Sequence, residues 1–180
     1  GHEYGTLFDA LGATIQRLGE PMAERCTMLA VFPEDSKVPL AVAGQLWGTS
    51  DVQTQKTVRK LKEWHLVDVD WERRKVEDVL GNERWEGRTL SLIDLHLDYL
   101  RASAKEDLAR WHAALLRGCG RRTLGNDLQK EREEDDAYWG RPPNVLHHLR
   151  GCRWAPGALG GEVTELWLFS QELGDEDAKG

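Results

Sequence analysis

The chain of 180 residues lacks every short signature that would start an enzymatic reading. No G-x-x-x-x-G-K-[ST] phosphate loop occurs, so it does not itself carry the backbone cradle of P-loop nucleotide sites. G-x-S-x-G, H-E-x-x-H and a glycine fingerprint after a strand are equally missing. No apolar run approaches the ~20 residues of a membrane span, and no signal-peptide pattern opens the chain. Cysteine is scarce: Cys26, Cys119 and Cys152 are odd in number, far apart and without a C-x-x-C pair. That spacing indicates neither a disulfide framework nor a zinc ribbon, and a reducing, cytoplasmic setting is the expectation. An excess of positive charge is absent too. With 31 acidic against 24 basic residues the net charge is −7, which opposes indiscriminate binding to nucleic acid or anionic lipid. What remains is 40% hydrophobic and 31% charged residues, an ordinary globular balance, in a length sufficient for one domain or two small ones.

Apolar periodicity predicts a mainly α chain. Leu7, Leu11, Thr14, Ile15 and Leu18 follow helical spacing from Thr6 to Leu18. Glu20-Pro21 resets the chain, and Met22, Cys26, Leu29 and Phe32 form the next stripe. A short helix is expected from Pro39 to Trp47, stopped by Gly48. Thr49-Ser50-Asp51 offers caps for a fourth helix reaching about Glu63, with Val58, Leu61 and His65 inward and Lys56, Arg59, Lys60 and Glu63 outward. The period then shortens to alternation at Leu66 to Trp71, with Arg88 to Ser91 as the returning strand and turn signals at Gly81-Asn82 and Glu86-Gly87. Helices followed by a hairpin form the winged-helix order. Two further stripes follow: Leu92, Leu95, His96, Tyr99, Leu100, and then Leu108, Trp111, His112, Leu115, Leu116. These two predict an antiparallel helix pair turning at Ser103-Ala104, the second ending at Gly118-Cys119-Gly120. The expected division is a winged-helix unit over 1–102 and the start of a helical domain over 103–180. Within the latter, 127–136 reads as a charged linker, helices are expected at Pro143–Arg150 and Leu159–Ser170, and the tail from Gly174 is expected to lack order.

Each chemistry-bearing feature has a plainer alternative. His147-His148 suggests a metal site, but adjacent helical residues point about 100° apart, so no metal ligand set is expected from the pair. His96 and His112 lie in apolar stripes and read as packed histidines with one satisfied nitrogen. The tryptophans are scattered, which suits core anchors better than a cofactor cage. Lys56, Arg59, Lys60 and the neighbouring Lys62 form a basic face on the helix before the hairpin, the helix that enters the major groove in DNA-binding winged helices. Only Gln53 and Gln55 accompany them as base-reading amides, and Asp68, Asp70 and Glu72 would repel phosphate.

The segments LAVFPEDSKVPLAVAGQLWG (Leu29–Gly48), EWHLVDVDW (Glu63–Trp71) and RTLSLIDLHLDYLRA (Arg88–Ala102) together resemble the winged-helix domain of NB-ARC proteins. The similarity is to the subgroup built like apoptotic protease-activating factor, with WD repeats. EDLARWHAALL, DDAYWGRPPNVLHHL and ALGGEVTELWLF are similar to the helical domain that follows there, so the resemblance spans nearly the whole chain. Gly140-Arg141-Pro142-Pro143 departs from it, because two prolines force a break or a fresh helix start.

The resemblance implies a regulatory piece of a nucleotide-switched signalling ATPase, not an enzyme in its own right. No cofactor belongs to this stretch; ADP or ATP is expected in the parent protein, held by an upstream P-loop domain and a small helical domain. Those domains, downstream sensor repeats and further copies in an activated homo-oligomer are the implied partners. No membrane partner is expected, and nucleic acid is the weaker alternative through Lys56, Arg59, Lys60 and Lys62. A scaffold without nucleotide control is a third reading. In the family a His-Asp motif after the wing brings its histidine to the ADP β-phosphate. Here Asp94 matches the aspartate, while Ile93 replaces the histidine and has no donor for a phosphate oxygen. His96, about 60° away around the helix, is not expected to substitute.

Overall fold

Apolar residues at a spacing of three and four seat the first helix. The computed structural model describes residues 2–72, 74–77, 83–123, 138–139 and 142–152. In it α1 (His2–Arg17) buries Leu11 and Ile15 and leaves Leu7 exposed. Gly12 leaves room for the Tyr99 hydroxyl, and Phe8 meets the Tyr99 ring edge-on at 5.4 Å. Helix α2 (Met22–Met28) runs directly into a single 3-10 turn at Leu29–Val31. Leu29, Ala30, Val31 and Phe32 are all buried, a run without helical or strand period because every side of it is covered.

A two-residue strand, β1 (Val38–Pro39), precedes α3 (Leu40–Trp47) and α4 (Asp51–Glu63). Gly48 closes α3 in the left-handed region at φ 62°, a conformation that glycine adopts without a Cβ penalty. Ser50 caps α4, its hydroxyl accepting from the Gln53 amide at 3.4 Å. The two helices cross where Gly44 faces Thr54, whose hydroxyl fills the space a Cβ would take. The inward residues of α4 are Thr54, Thr57, Val58 and Leu61. His65, expected on that face, is instead exposed at φ 55°. The helix has ended at Glu63, the Leu66 amide donates back to the Leu61 carbonyl at 3.0 Å, and Leu66 takes the inward place.

The alternating stretch becomes β2 (Asp68–Asp70), which pairs with β5 (Thr89–Ser91), while β3 (Arg74–Glu77) and β4 (Glu83–Glu86), between them in sequence, pair with each other as a second, two-stranded antiparallel sheet. Glu86, read as punctuation, lies in the β4 ladder opposite Arg74. The hairpin base forms a three-stranded antiparallel sheet in the order β1-β5-β2. Leu90 pairs with Val38 on one side and Val69 on the other, which makes a buried apolar row across all three strands. Sequence reading missed β1, since two residues carry no detectable period.

Helix α5 (Asp94–Ala104) buries Leu97, Leu100 and Ala104 and half-buries Leu95, His96 and Tyr99. Its covered arc is wider than the expected stripe because it lies against α1, α2 and the 3-10 turn at once. Helix α6 (Leu108–Thr123) buries Trp111, His112, Leu115 and Leu116 as predicted. It does not stop at Gly118-Cys119-Gly120 but continues to Thr123, and the turn before it is Lys105–Asp107. It packs chiefly on α3, the 3-10 turn and α7 (Pro142–Gly151) rather than folding back along α5. Pro142 and Pro143 occupy the first turn of α7, where their missing amides cost nothing. The charged stretch 127–136, the helix expected at Leu159–Ser170 and the tail lie outside the described residues.

The described chain is therefore mainly helical with a small antiparallel sheet, and no described helix is long and apolar enough to cross a membrane. One core runs from Leu11 through Trp111 and Leu115 to Tyr138, across the expected boundary at 102; a smaller cluster of Ala113, Leu116, Leu149 and Cys152 joins α6 to α7. Phe32 meets Tyr138 and His148, each at 6.0 Å between ring centroids. Phe32→Ala is therefore expected to cost about 3–5 kcal/mol in urea unfolding, the range for a fully enclosed aromatic. A loss below 1 kcal/mol would mean that the pocket collapses freely around it.

Candidate functional site

The basic face predicted on α4 is present. Lys56, Arg59 and Lys60 are exposed and Lys62 is half-buried. Most of these cations nevertheless turn toward the protein. The Arg59 guanidinium sits 5.5 Å from the centre of the Trp71 ring, and the Lys60 ammonium 5.8 Å from that of Trp64. Lys60 also pairs with Glu63 at 3.3 Å. Lys62 donates to the Val69 carbonyl at 3.0 Å and lies 3.7 Å from Asp68. Arg59, Lys62, Glu63 and Trp71 line an open depression of about 400 Å³. Exposed pairs like these contribute about 0–1 kcal/mol each, so they shape the local field more than they stabilise the fold. The face is compensated by the acidic residues beside it.

Ile93 and Asp94 lie at the start of α5, immediately after β5. Ile93 is the N-cap residue, in extended backbone at φ −77° and ψ 137°, and no side chain caps the helix there. Its carbonyl accepts the first helical bond, from the Leu97 amide at 3.1 Å. Isoleucine is among the poorest residues at this position, since it has no oxygen to accept the orphan amides. It is also 58% exposed, unusual for a large apolar side chain beside a buried sheet. Asp94 is exposed in the first turn, where its charge complements the positive helix end. His96 points elsewhere: its Nδ1 lies 3.2 Å from the Leu66 carbonyl, so it is the packed histidine with one satisfied nitrogen that its stripe suggested.

The third grouping was not anticipated. His147 and His148 were expected to diverge, yet His112 enters from α6 and all three imidazoles meet. Their donor nitrogens lie within 4.8 Å of one another. His112 Nδ1 and His148 Nδ1 are 2.9 Å apart, one ring donating and the other accepting. Tyr138 Oη is 2.8 Å from His148 Nε2. His147 Nε2 is 2.8 Å from the Val31 carbonyl, which can only accept, so that nitrogen carries the proton and Nδ1 keeps its lone pair. A Cβ on Gly151 would overlap the His112 ring, so glycine at the end of α7 is what lets the two helices approach. Thirty-six residues separate His112 from His148, and nothing in linear spacing signals their contact.

Burial keeps the cluster uncharged. It lowers His112 to about 3, helped by His147 and then Arg101, and it lowers His148 well below its ordinary value, with His112 and His147 as further causes. Burial also lowers His147, opposed by its bond to Val31 and reinforced by Arg101 and Arg150. Tyr138 is pushed up by burial, so its hydroxyl remains protonated. Three neutral imidazoles can hold a metal or relay a proton. They cannot act as a cationic anion site at neutral pH.

Against known proteins, the chain matches no protein-family model, and no curated protein is significantly similar to it.

The depressed histidines fix the sign of the acid response. The unfolded chain takes up protons below about pH 6.5 while the folded cluster does not. Their contribution is thus complete above about pH 6.5 and falls as the pH drops toward 3. Urea unfolding from pH 7.5 to 5.5, above the carboxylate range, should lose up to about 1.4 kcal/mol per pH unit for each buried imidazole once below pH 6.5. Stability that stayed flat or rose over that interval would show a cluster already charged at neutral pH.

Proposed function

We propose that the chain is the winged-helix unit, with the beginning of the following helical domain, of a nucleotide-switched signalling ATPase of the NB-ARC kind. Its role there is that of an interdomain clamp and lever in ADP/ATP-controlled oligomerisation. The observation that carries this reading is connectivity. A short strand, two helices and an antiparallel strand pair build the sheet β1-β5-β2, and α5 starts directly after its last strand. That order is compatible with a winged-helix path, and it supports reading Ile93-Asp94 as the counterpart of the His-Asp motif in the resembling family.

The exposure of Ile93 supports a facing surface outside this chain. A 58% exposed isoleucine at an uncapped helix start is a poor choice for an isolated domain. It suits a position covered by a neighbouring domain when the clamp is closed. Replacement of the family's histidine removes a phosphate donor, so the closed state would hold ADP less tightly and the switch would rest nearer its open state. In the full-length polypeptide, Ile93→His should therefore slow ADP release, by about tenfold if one charge-assisted hydrogen bond of 1.5 kcal/mol or so is restored. An unchanged release rate would count against closure over nucleotide.

Duplex binding through α4 is the competing reading, and the engagement of Arg59, Lys60 and Lys62 by Trp71, Glu63 and Asp68 weighs against it. Fluorescence anisotropy with a labelled duplex at 50 and 200 mM salt should give no saturable binding, and Lys56→Ala should make no difference. A salt-dependent affinity lost in that variant would favour the DNA reading.

A further inference from the structure

We propose that His112, His147 and His148 form a three-imidazole binding site for a divalent transition metal ion of the Zn²⁺ class, which clasps α6 and α7 to the Leu29–Phe32 segment. The inference rests on side-chain geometry and is independent of the nucleotide-switch reading.

The ring positions are those such a site requires. The three ring centroids form a nearly equilateral triangle, with sides of 5.4 Å for His112–His147, 5.1 Å for His112–His148 and 5.2 Å for His147–His148. With metal–nitrogen bonds of about 2.0–2.1 Å, each centroid lies about 3.2 Å from a tetrahedral ion and neighbouring centroids about 5.2 Å apart. The donor nitrogens, within 4.8 Å of one another, would have to reach about 3.4 Å, and the bonded pair at 2.9 Å would open by about half an ångström. Rotation of the rings about χ2, a broad torsion for histidine, supplies both changes while the centroids stay in place.

For two of the three rings the second nitrogen is already provided for. His147 Nε2–H donates to the Val31 carbonyl, and His148 Nε2 has Tyr138 Oη as its partner. Each contact leaves Nδ1 as the ligand atom and limits the ring to small rotations, the outer-shell arrangement that metal-bound histidines use. Neutral imidazoles offer their lone pairs without losing a proton.

Donor chemistry narrows the ion. Three nitrogens without a carboxylate exclude Mg²⁺ and Ca²⁺, which take oxygen ligands, and suit Zn²⁺, Co²⁺ and their neighbours. Cys152 is not among the donors; it belongs to the apolar cluster with Ala113, Leu116 and Leu149, and burial pushes its thiol up to about 11. The fourth position is left for water or a small anion. The opposing charges are Arg101 and Arg150, and the Arg101 guanidinium is itself paired with Glu34 and bonded to the Phe32 carbonyl.

The test uses the metal alone. Co²⁺ titrated into the metal-free chain should give the intense visible absorption of a tetrahedral complex, saturating at one equivalent and displaced by Zn²⁺. Zn²⁺ at a hundredfold excess over Kd should raise Tm by about 5–10 °C. X-ray absorption of the zinc-loaded wild-type chain should show three imidazoles, a result that needs no variant. His147→Gln keeps a donor for Val31, so it should retain the metal-free Tm within about 2 °C while losing the Co²⁺ band. His65→Gln, at an exposed position, should retain the band. Absence of a saturable tetrahedral band in the wild-type chain, fewer than three imidazoles at zinc, or an undiminished band in His147→Gln would each overturn the site.

Discussion

Four consecutive residues, Leu29 to Phe32, pass through the middle of the protein without regular structure that could pair all of their backbone groups. Buried carbonyls without partners are costly, so the elements around this segment have to bring donors to it. The Leu29 carbonyl accepts from the Phe32 amide at 3.1 Å, Val31 from the His147 ring at 2.8 Å, and Phe32 from Arg101 at 3.1 Å. The last two donors come from α7 and α5. The requirement thus decides where both helices sit: Arg101 orients α5 along one side of the turn, and His147 draws the start of the helical region onto the other.

The small sheet meets the complementary need on the far side of the core. Leu90 is shared by Val38 and Val69, so β5 is covered on both edges and the hairpin base cannot slip by one residue without turning this row outward. A fixed hairpin base in turn fixes the first residue of α5, because only Leu92 and Ile93 separate it from β5. The exposure of Ile93 is a consequence of that tether as much as of its chemistry. Lys62 ties the same hairpin to α4 through the Val69 carbonyl, which explains why the basic face leans toward β2 rather than standing free.

Helices were legible in the sequence where one face is buried and the other is wet. The stripes of α4 and α6 are of this kind, and the latter holds Trp111, His112, Leu115 and Leu116 where the period puts them. Legibility fails where that contrast disappears. Leu97 was missed because α5 is covered on several sides; the end of α4 at Glu63 was legible, but the inward place given to His65 and the end of α6 were misjudged, because one left-handed residue or a pair of glycines does not reveal from sequence which way the chain proceeds. The basic residues of α4 were placed correctly, but their partners were not, since Trp71 and Asp68 arrive through the hairpin. The histidine cluster was the least legible of all. Adjacent side chains on one helix do diverge, and the argument from a single helix was sound; a ring from a second helix, admitted by Gly151, converts the divergence into an enclosure.

An apolar trio at these positions would have filled the same space at lower desolvation cost. Apolar contact, however, is indifferent to small sliding of one helix along another, whereas a hydrogen-bond chain is not. Tyr138, His148 and His112 form such a chain between α7 and α6, and His147 adds a separate bond to Val31. A displacement of one residue, about 1.5 Å along α7, would break all three contacts and leave buried polar groups unpaired. The register between α6, α7 and the central turn is therefore specified by polar geometry, and the surrounding aromatic rings of Phe32 and Trp139 supply the dry environment in which that specification is strong. The apolar packing of α6 on α3 and the central turn holds the same elements together, and the polar cluster adds the register to it.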